Sequence, residues 1–171
     1  MNIKSMTIWL LGPTSSGKTT IANNVFKNLN KKKFPIMHFD GDEIRNFFGK
    51  DFGFNETNRM KVIETLVHLS LKSNNSGIPA IVSALTAHET ARNYIKTKIP
   101  NLLTIYVKCP ISVCAERDPK GLYKQASSGK INTLIGYNSK YIPPKKPDFI
   151  INTNKKNIKQ CTNELLQFLS L

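Results

Sequence analysis

The chain has 171 residues, a mass of 19.3 kDa and 40% hydrophobic residues, which predicts one folded domain over 1–171 and excludes wholesale disorder. No apolar run approaches the ~18 residues that cross a bilayer, so we expect no membrane contact. The net charge is +14, but only four of the 25 basic residues are arginine, so we expect no nucleic-acid partner. Three cysteines without metal-ligand spacing favour reduced thiols and a cytoplasmic protein.

Apolar runs and helical repeats alternate along the chain. Continuous apolar runs predict five strands, at 6–11, 35–39, 80–85, 102–107 and 149–151. Apolar residues at helical spacing follow the strands and predict helices there. After the second strand, a polar connection over 40–55 comes before the helix. A capping box at 86–89 predicts the start of one of these helices. The alternation predicts an α/β fold with a five-stranded, doubly wound parallel sheet and helices on both faces.

The segment 118–147 follows no regular pattern and is rich in glycine and proline. Residues 120–159, which overlap it, hold nine lysines and a single acid, Asp148. This composition predicts a mobile, basic lid over 118–147 rather than a part of the core. We call these residues the lid segment.

A phosphate-loop motif occupies residues 12–19 and matches the pattern GxxxxGK[ST] between a predicted strand and a predicted helix. In this pattern backbone N–H groups surround a phosphate, the lysine reaches the β and γ phosphates, and the last hydroxyl binds Mg²⁺. The motif predicts ATP and Mg²⁺ as cofactors, with Thr19 as a metal ligand. The predicted ATP-binding residues of the motif are Gly12, Thr14, Ser15, Ser16, Gly17, Lys18, Thr19 and Thr20.

Two aspartates follow the second predicted strand. Phosphoryl transfer needs an acid near the metal and a group that orients the attacking hydroxyl. No Asp or Glu ends the third predicted strand, so Asp40 is predicted to contact Mg²⁺ through water. Asp42 is predicted to act as the base or to orient the acceptor hydroxyl. The alternative interpretation of this Asp-Gly-Asp sequence is a plain turn.

The four arginines have different predicted roles. Arg117, just before the lid segment, is predicted to hold ATP and to act with Lys18 on the transferring phosphoryl group. Arg45 and Arg59 are predicted to hold a second substrate, whereas Arg92 is interpreted as a solvated surface residue. The resulting catalytic set is Lys18, Asp40, Asp42 and Arg117.

These motifs resemble the adenylylsulfate (APS) kinase family over nearly the whole chain, from the phosphate loop to Thr153. Beyond the loop and the Asp-Gly-Asp sequence, the resemblance rests on Arg45 and on the Asp-Phe-Gly-Phe sequence 51–54 with Arg59. Its most specific part is the Glu-Arg-Asp-Pro-Lys-Gly-Leu-Tyr-Lys sequence at 116–124.

The resemblance implies ATP-dependent phosphorylation of the ribose 3′-hydroxyl of a small nucleotide with a modified 5′-phosphate. It also implies a homodimer and adds Thr153 to the ATP-binding residues. The acceptor-binding residues it implies are Asp42, Arg45, Phe54, Arg59, Leu85, Thr86, Lys120, Leu134 and Ile135.

The chain departs from the family on the acceptor side. Leu134 and Ile135 replace a phenylalanine–threonine pair that flanks the acceptor's adenine in family members. Further replacements are at Val62, Glu64, His88 and Glu89. Since stacking on a base contributes ~1–3 kcal/mol, these changes predict a different acceptor.

A relative with such changes is the cytidine diphosphoramidate kinase of bacterial capsule pathways, to which the chain is similar in length and composition. We therefore expect cytidine diphosphoramidate as acceptor, with adenylyl sulfate as the alternative. A catalytically silent nucleotide- or nucleic-acid-binding protein is a remote third hypothesis, motivated by the charge of +14.

Overall fold

The computed structural model describes residues 5–49 and 51–170. Residues 1–4, 50 and 171, which include both ends of the predicted domain, lie outside the described residues. The strands are β1 (Thr7–Leu11), β2 (Met37–Asp40), β3 (Ala80–Ser83), β4 (Leu102–Lys108) and β5 (Phe149–Asn152). The helices are α1 (Lys18–Lys31), α2 (Gly41–Phe47), α3 (Glu56–Asn75), α4 (Glu89–Lys98), α5 (Ile111–Arg117), α6 (Leu122–Ser127) and α7 (Ile158–Phe168).

The strands form one parallel sheet in the order β2-β3-β1-β4-β5. β1 lies at its centre, and all five of its residues are buried, as its continuous apolar sequence predicts. The chain order reverses at β1, where β3 lies on one side and β4 on the other. Loops at the carboxyl ends of such neighbouring strands border a crevice that binds ligands in doubly wound sheets.

Helices cover both faces of the sheet, which confirms the predicted architecture. Because side chains alternate along a strand, Ile8 and Leu10 pack against α1 and α7, whereas Trp9 and Leu11 pack against α3 and α4. Each face therefore has its own apolar core. Among the described residues, no helix is both long and apolar enough to span a bilayer.

Two local predictions differ from the structure. The polar connection after β2 contains the helix α2, because the Asp40 carboxylate accepts a hydrogen bond from the Asp42 backbone N–H and caps the helix. The predicted capping box is absent: α4 begins after His88, without a side-chain cap. Thr86 has a positive φ of 41° rather than the extended conformation of a capping residue, and its hydroxyl accepts a hydrogen bond from Trp9.

The lid segment contributes to the core more than its irregular sequence predicts. Tyr123 of α6, Leu134 and Tyr141 are all buried. Tyr123 and Leu134 pack in a separate apolar cluster with Cys109 and Cys114. The mobility of the segment remains a prediction, but its apolar side chains hold it against the domain.

Gly12 begins the phosphate loop at φ +157°, and a Cβ there would lie 2.5 Å from the Val107 carbonyl oxygen. We expect Gly12→Ala to lower the free energy of unfolding by about 3 kcal/mol, because the overlap adds to backbone strain. The control is Gly77→Ala, where φ is +73° and no atom lies within 4 Å. Its expected loss is about 1 kcal/mol. Chemical denaturation measures both, and equal losses would contradict the close approach.

Candidate active site

The phosphate loop turns from the buried end of β1 into α1. Positive φ angles at Ser15 and Gly17 curl the backbone, and the Ser16 N–H donates to the Pro13 carbonyl at 3.2 Å. The Ser16 hydroxyl is buried and has no hydrogen-bond partner among the described residues. The helix N-terminus adds positive potential at the same place. This geometry forms a cradle for an anion.

Lys18 lies at the floor of the cleft, and its ammonium donates a hydrogen bond to the Pro13 carbonyl at 2.7 Å. Burial lowers the pKa of Lys18 to about 8, against the opposing influence of the nearby carboxylates Asp42 and Asp40. The negative charge of a bound triphosphate would stabilise the protonated form of this buried ammonium.

The Asp40 carboxylate joins three segments at the carboxyl edge of the sheet. One oxygen accepts hydrogen bonds from the Thr19 hydroxyl at 2.7 Å and the Ser83 hydroxyl at 2.6 Å. The other accepts from the Asp42 N–H at 2.8 Å. Burial alone raises the pKa of Asp40, but the hydrogen bonds outweigh it and the net pKa lies below the usual value. Asp40 is therefore an ionised carboxylate beside the Thr19 hydroxyl.

Asp42 reaches across the cleft from the first turn of α2. Its carboxylate forms an ion pair with Lys120 of the lid segment. Both side chains are about half exposed, at 57% and 52%, so the pair is accessible to a ligand. A surface pair of this kind contributes little stability, about 0–1 kcal/mol.

Arg45 and Arg59 form a positive site around Phe54. The Arg45 guanidinium lies 4.4 Å from the centre of the Phe54 ring and donates to the Gly53 carbonyl. Arg59 donates to the carbonyls of Phe54 and of Thr133 in the lid segment, each at 2.8 Å. Burial and the neighbouring Arg45 charge lower the pKa of Arg59 to about 10. Two cations held this close favour an anionic ligand.

Arg117 and Thr153 meet on the opposite side of the phosphate loop. The guanidinium donates to the Thr153 hydroxyl at 3.2 Å and to its carbonyl at 2.6 Å. The Thr153 hydroxyl in turn donates to the Ser16 carbonyl at 2.9 Å. The structure thus brings Arg117, before the lid segment, to the end of β5 and the loop.

One cleft of about 1210 Å³ collects most of the predicted site residues. Those that line it are Thr14, Ser15, Gly17, Lys18, Thr19, Thr20, Asp42, Arg45, Arg59, Leu85, Thr86, Arg117, Lys120 and Thr153. Phe54, Leu134 and Ile135 line a smaller adjoining cavity of about 60 Å³. Gly12, Ser16 and Asp40 are buried. The predicted site residues therefore lie around this cleft and the cavity that adjoins it.

The departures from the family divide between the cleft and the surface. Val62 and His88 line the cleft. Glu64 is exposed, and Glu89 is an exposed residue that pairs with Lys145 at 3.4 Å.

Residues in and around the site differ in how much signal they leave in the sequence. Ser83 ends β3 beside Asp40, and its place at the carboxyl edge was a usable signal. Tyr123, whose hydroxyl donates to the Thr14 carbonyl at 3.3 Å, comes from the lid segment and carried no such signal. Arg92 is only 9% exposed, so its interpretation as a surface arginine is wrong.

The residues present fit ATP with Mg²⁺. The Lys18 ammonium binds a carbonyl of the phosphate loop, and the buried Ser16 hydroxyl of the same loop has no hydrogen-bond partner within the part of the chain that the structure describes. The Thr19 hydroxyl and the ionised Asp40 carboxylate are hard oxygen groups, which Mg²⁺ prefers together with substrate phosphates.

The parallel sheet, the phosphate loop and the carboxylates at its edge define a P-loop phosphotransferase. The sequence pattern of the family described as Adenylylsulphate kinase matches residues 4–152. The chain belongs to this family and acts on a hydroxyl group.

Individual relatives extend the match over most of the chain. A probable adenylyl-sulfate kinase of Archaeoglobus fulgidus is 33% identical over 153 residues, 90% of this chain and 99% of that protein. The adenylyl-sulfate kinase of Bacillus licheniformis is 33% identical over 168 residues, 97% of this chain and 85% of that protein. The structure of the Mycobacterium tuberculosis APS kinase in complex with AMPPNP and APS matches with a TM-score of 0.91 at 27% identity. It covers 98% of this chain and 99% of that one.

The relatives named above are adenylyl-sulfate kinases, and these comparisons do not support the predicted cytidine diphosphoramidate acceptor. They give no support to a role in capsule biosynthesis.

The pKa of Lys18 near 8 gives a testable pH dependence. Phosphates bind the protonated ammonium, so ATP affinity is retained below pH 8 and falls as the free protein loses this proton. We expect the Kd for ATP to rise about tenfold between pH 7 and pH 9 in isothermal titration calorimetry, most of it above pH 8. Lys18→Met is the control and should bind weakly with a flat profile. A flat profile in the unaltered protein would contradict this role of Lys18.

Proposed function

We propose that this protein transfers the γ-phosphoryl group of ATP to the ribose 3′-hydroxyl of adenylyl sulfate, forming 3′-phosphoadenylyl sulfate and ADP. The observation that carries the proposal is the position of Asp42 and the Arg45–Arg59 pair, which share one cleft with the phosphate loop. The adenylyl-sulfate kinases named above support this acceptor.

In the proposed step, the acceptor 3′-oxygen forms a bond to the γ-phosphorus while the bond from that phosphorus to the β–γ bridging oxygen breaks. The hydroxyl proton passes to the Asp42 carboxylate. Lys18 and Arg117 bind the phosphate oxygens on either side of the loop. Thr19 and Asp40 would hold Mg²⁺, which neutralises phosphate charge when it is bound.

The acceptor's own anionic groups would bind to Arg45, Arg59 and Lys120. Lys120 pairs with Asp42 in the structure, so an acceptor that attracts Lys120 also frees the Asp42 carboxylate. Leu85 and Thr86 border the cleft between these cations and the phosphate loop. The acceptor hydroxyl would thus lie between Asp42 and the γ-phosphate.

A second acceptor, cytidine diphosphoramidate, is favoured by one specific observation. The cavity beside Arg45 and Arg59 is lined by Leu134 and Ile135, and no aromatic side chain of the lid segment borders it within the described residues. An adenine there would lose a stacking partner that contributes ~1–3 kcal/mol. A smaller base loses less contact in the same cavity.

Asp42→Asn tests the role of this carboxylate as the base. The amide keeps the shape of the side chain but cannot accept the hydroxyl proton, so we expect kcat to fall by about 10²–10⁴. ATP affinity should be nearly unchanged, because Asp42 lies on the acceptor side. Glu43→Gln, which alters the next exposed carboxylate of α2, is the control and should retain activity. A fully active Asp42→Asn would exclude the proposed proton transfer.

An acceptor panel at fixed MgATP tests the substrate. We expect adenylyl sulfate to give the highest kcat/KM among adenylyl sulfate, cytidine diphosphoramidate, CDP and AMP, measured by ADP release. Leu134→Phe, which adds an aromatic ring from the lid segment to the cavity that Phe54 already lines, should lower the KM for adenylyl sulfate about tenfold or more. Faster turnover of cytidine diphosphoramidate, together with no gain from Leu134→Phe, would replace the first acceptor by the second.

A further inference from the structure

Arg92 of α4 is buried without a carboxylate partner among the described residues. Its Nε donates to the Thr86 carbonyl at 2.9 Å, and its Nη2 donates to the Ile142 carbonyl at 2.5 Å. A buried charge is tolerated only when its donors are satisfied. The two carbonyls lie 56 residues apart in sequence. The two nitrogens of one guanidinium therefore join two segments that are distant along the chain.

The first segment is the loop between β3 and α4, which borders the acceptor side of the cleft at Thr86. Thr86 is a β-branched residue with a φ of 41°, a strained conformation that persists only when its surroundings hold it. Two contacts do so. Arg92 binds its carbonyl, and the indole N–H of Trp9 donates to its hydroxyl at 2.9 Å.

The second segment is the C-terminal part of the lid segment. The Arg92 guanidinium lies 5.7 Å from the centre of the Tyr141 ring, next to the Ile142 carbonyl that it binds. Tyr141 in turn stacks on Tyr106 of β4, with ring centres 6.4 Å apart. Arg92 therefore joins the C-terminal part of the lid segment to the loop that contains Thr86.

We propose that Arg92 is a positioning residue for the acceptor: it fixes the Thr86 loop and the C-terminal part of the lid segment relative to one another. It acts through Thr86 and does not itself line the cleft. Its loss therefore weakens acceptor binding and leaves the ATP side unchanged. This inference rests on the proposed phosphorylation of a nucleotide acceptor in the same cleft.

The test compares Arg92→Met and Arg92→Lys with Lys96→Met, which removes a charge from the exposed face of the same helix. We expect Arg92→Met to raise the KM for adenylyl sulfate about ten- to hundredfold, the loss of one or more hydrogen bonds to a charged group. The KM for ATP should change little. Arg92→Lys keeps one donor and should give an intermediate KM, and Lys96→Met should resemble the unaltered protein.

Trp9 supplies a second readout, since it is the single tryptophan of the chain and is fully buried against Thr86. We expect Arg92→Met to shift Trp9 emission to longer wavelength without any ligand, whereas Lys96→Met leaves it unchanged. Equal rises in the KM values for ATP and acceptor, or an unaltered acceptor KM with unaltered emission, would overturn the proposal. If Arg92→Met does not fold, Arg92→Lys and Arg92→Gln carry the same comparison.

The two proposals fail in distinguishable ways. If the unaltered protein phosphorylates no acceptor of the panel, the proposed function fails, and the Trp9 emission of the variants still tests the link from Arg92 to Thr86. If the unaltered protein is active and Arg92→Met matches it in acceptor KM and emission, only the role of Arg92 fails.

Discussion

The buried carboxylate of Asp40 is the contact on which the arrangement of the site depends. Its three hydrogen bonds join the start of α1, the end of β3 and the start of α2. Bonds to an ionised group contribute roughly 1.5–3 kcal/mol each, enough to offset the cost of burying the charge. Because α2 is capped by this carboxylate, Asp42 and Arg45 inherit their positions from it.

The cations of the cleft are held ready for anions in a consistent way. Lys18, Arg59 and Arg117 each donate to backbone carbonyls, of Pro13, Phe54 and Thr153. Carbonyls orient these groups without neutralising them, so the positive potential of the cleft is preserved. Lys120 is different, since it pairs with the Asp42 carboxylate. In the proposed reaction, Lys120 leaves Asp42 to contact the bound acceptor. Binding of the acceptor therefore frees the Asp42 carboxylate to act as the base.

The sequence predicts the sheet and the phosphate loop well because both signals are local. Each strand is a short apolar run, and the loop motif occupies eight consecutive residues. The helix α2 escapes prediction because none of its residues is buried, so it has no apolar repeat. The burial of Arg92 and the strained Thr86 depend on Ile142 and Trp9, partners 50 and 77 residues away. Such contacts are created by the fold and leave no pattern along the chain.

A crystal structure of the protein with a non-hydrolysable ATP analogue and adenylyl sulfate would test the role of Asp42. We expect the acceptor 3′-oxygen to lie within hydrogen-bond distance of the Asp42 carboxylate and in line with the γ-phosphate. We also expect Lys120 to have left Asp42 for an acceptor phosphate or sulfate oxygen. A complex in which the Asp42–Lys120 pair persists and the 3′-oxygen lies elsewhere would contradict this role.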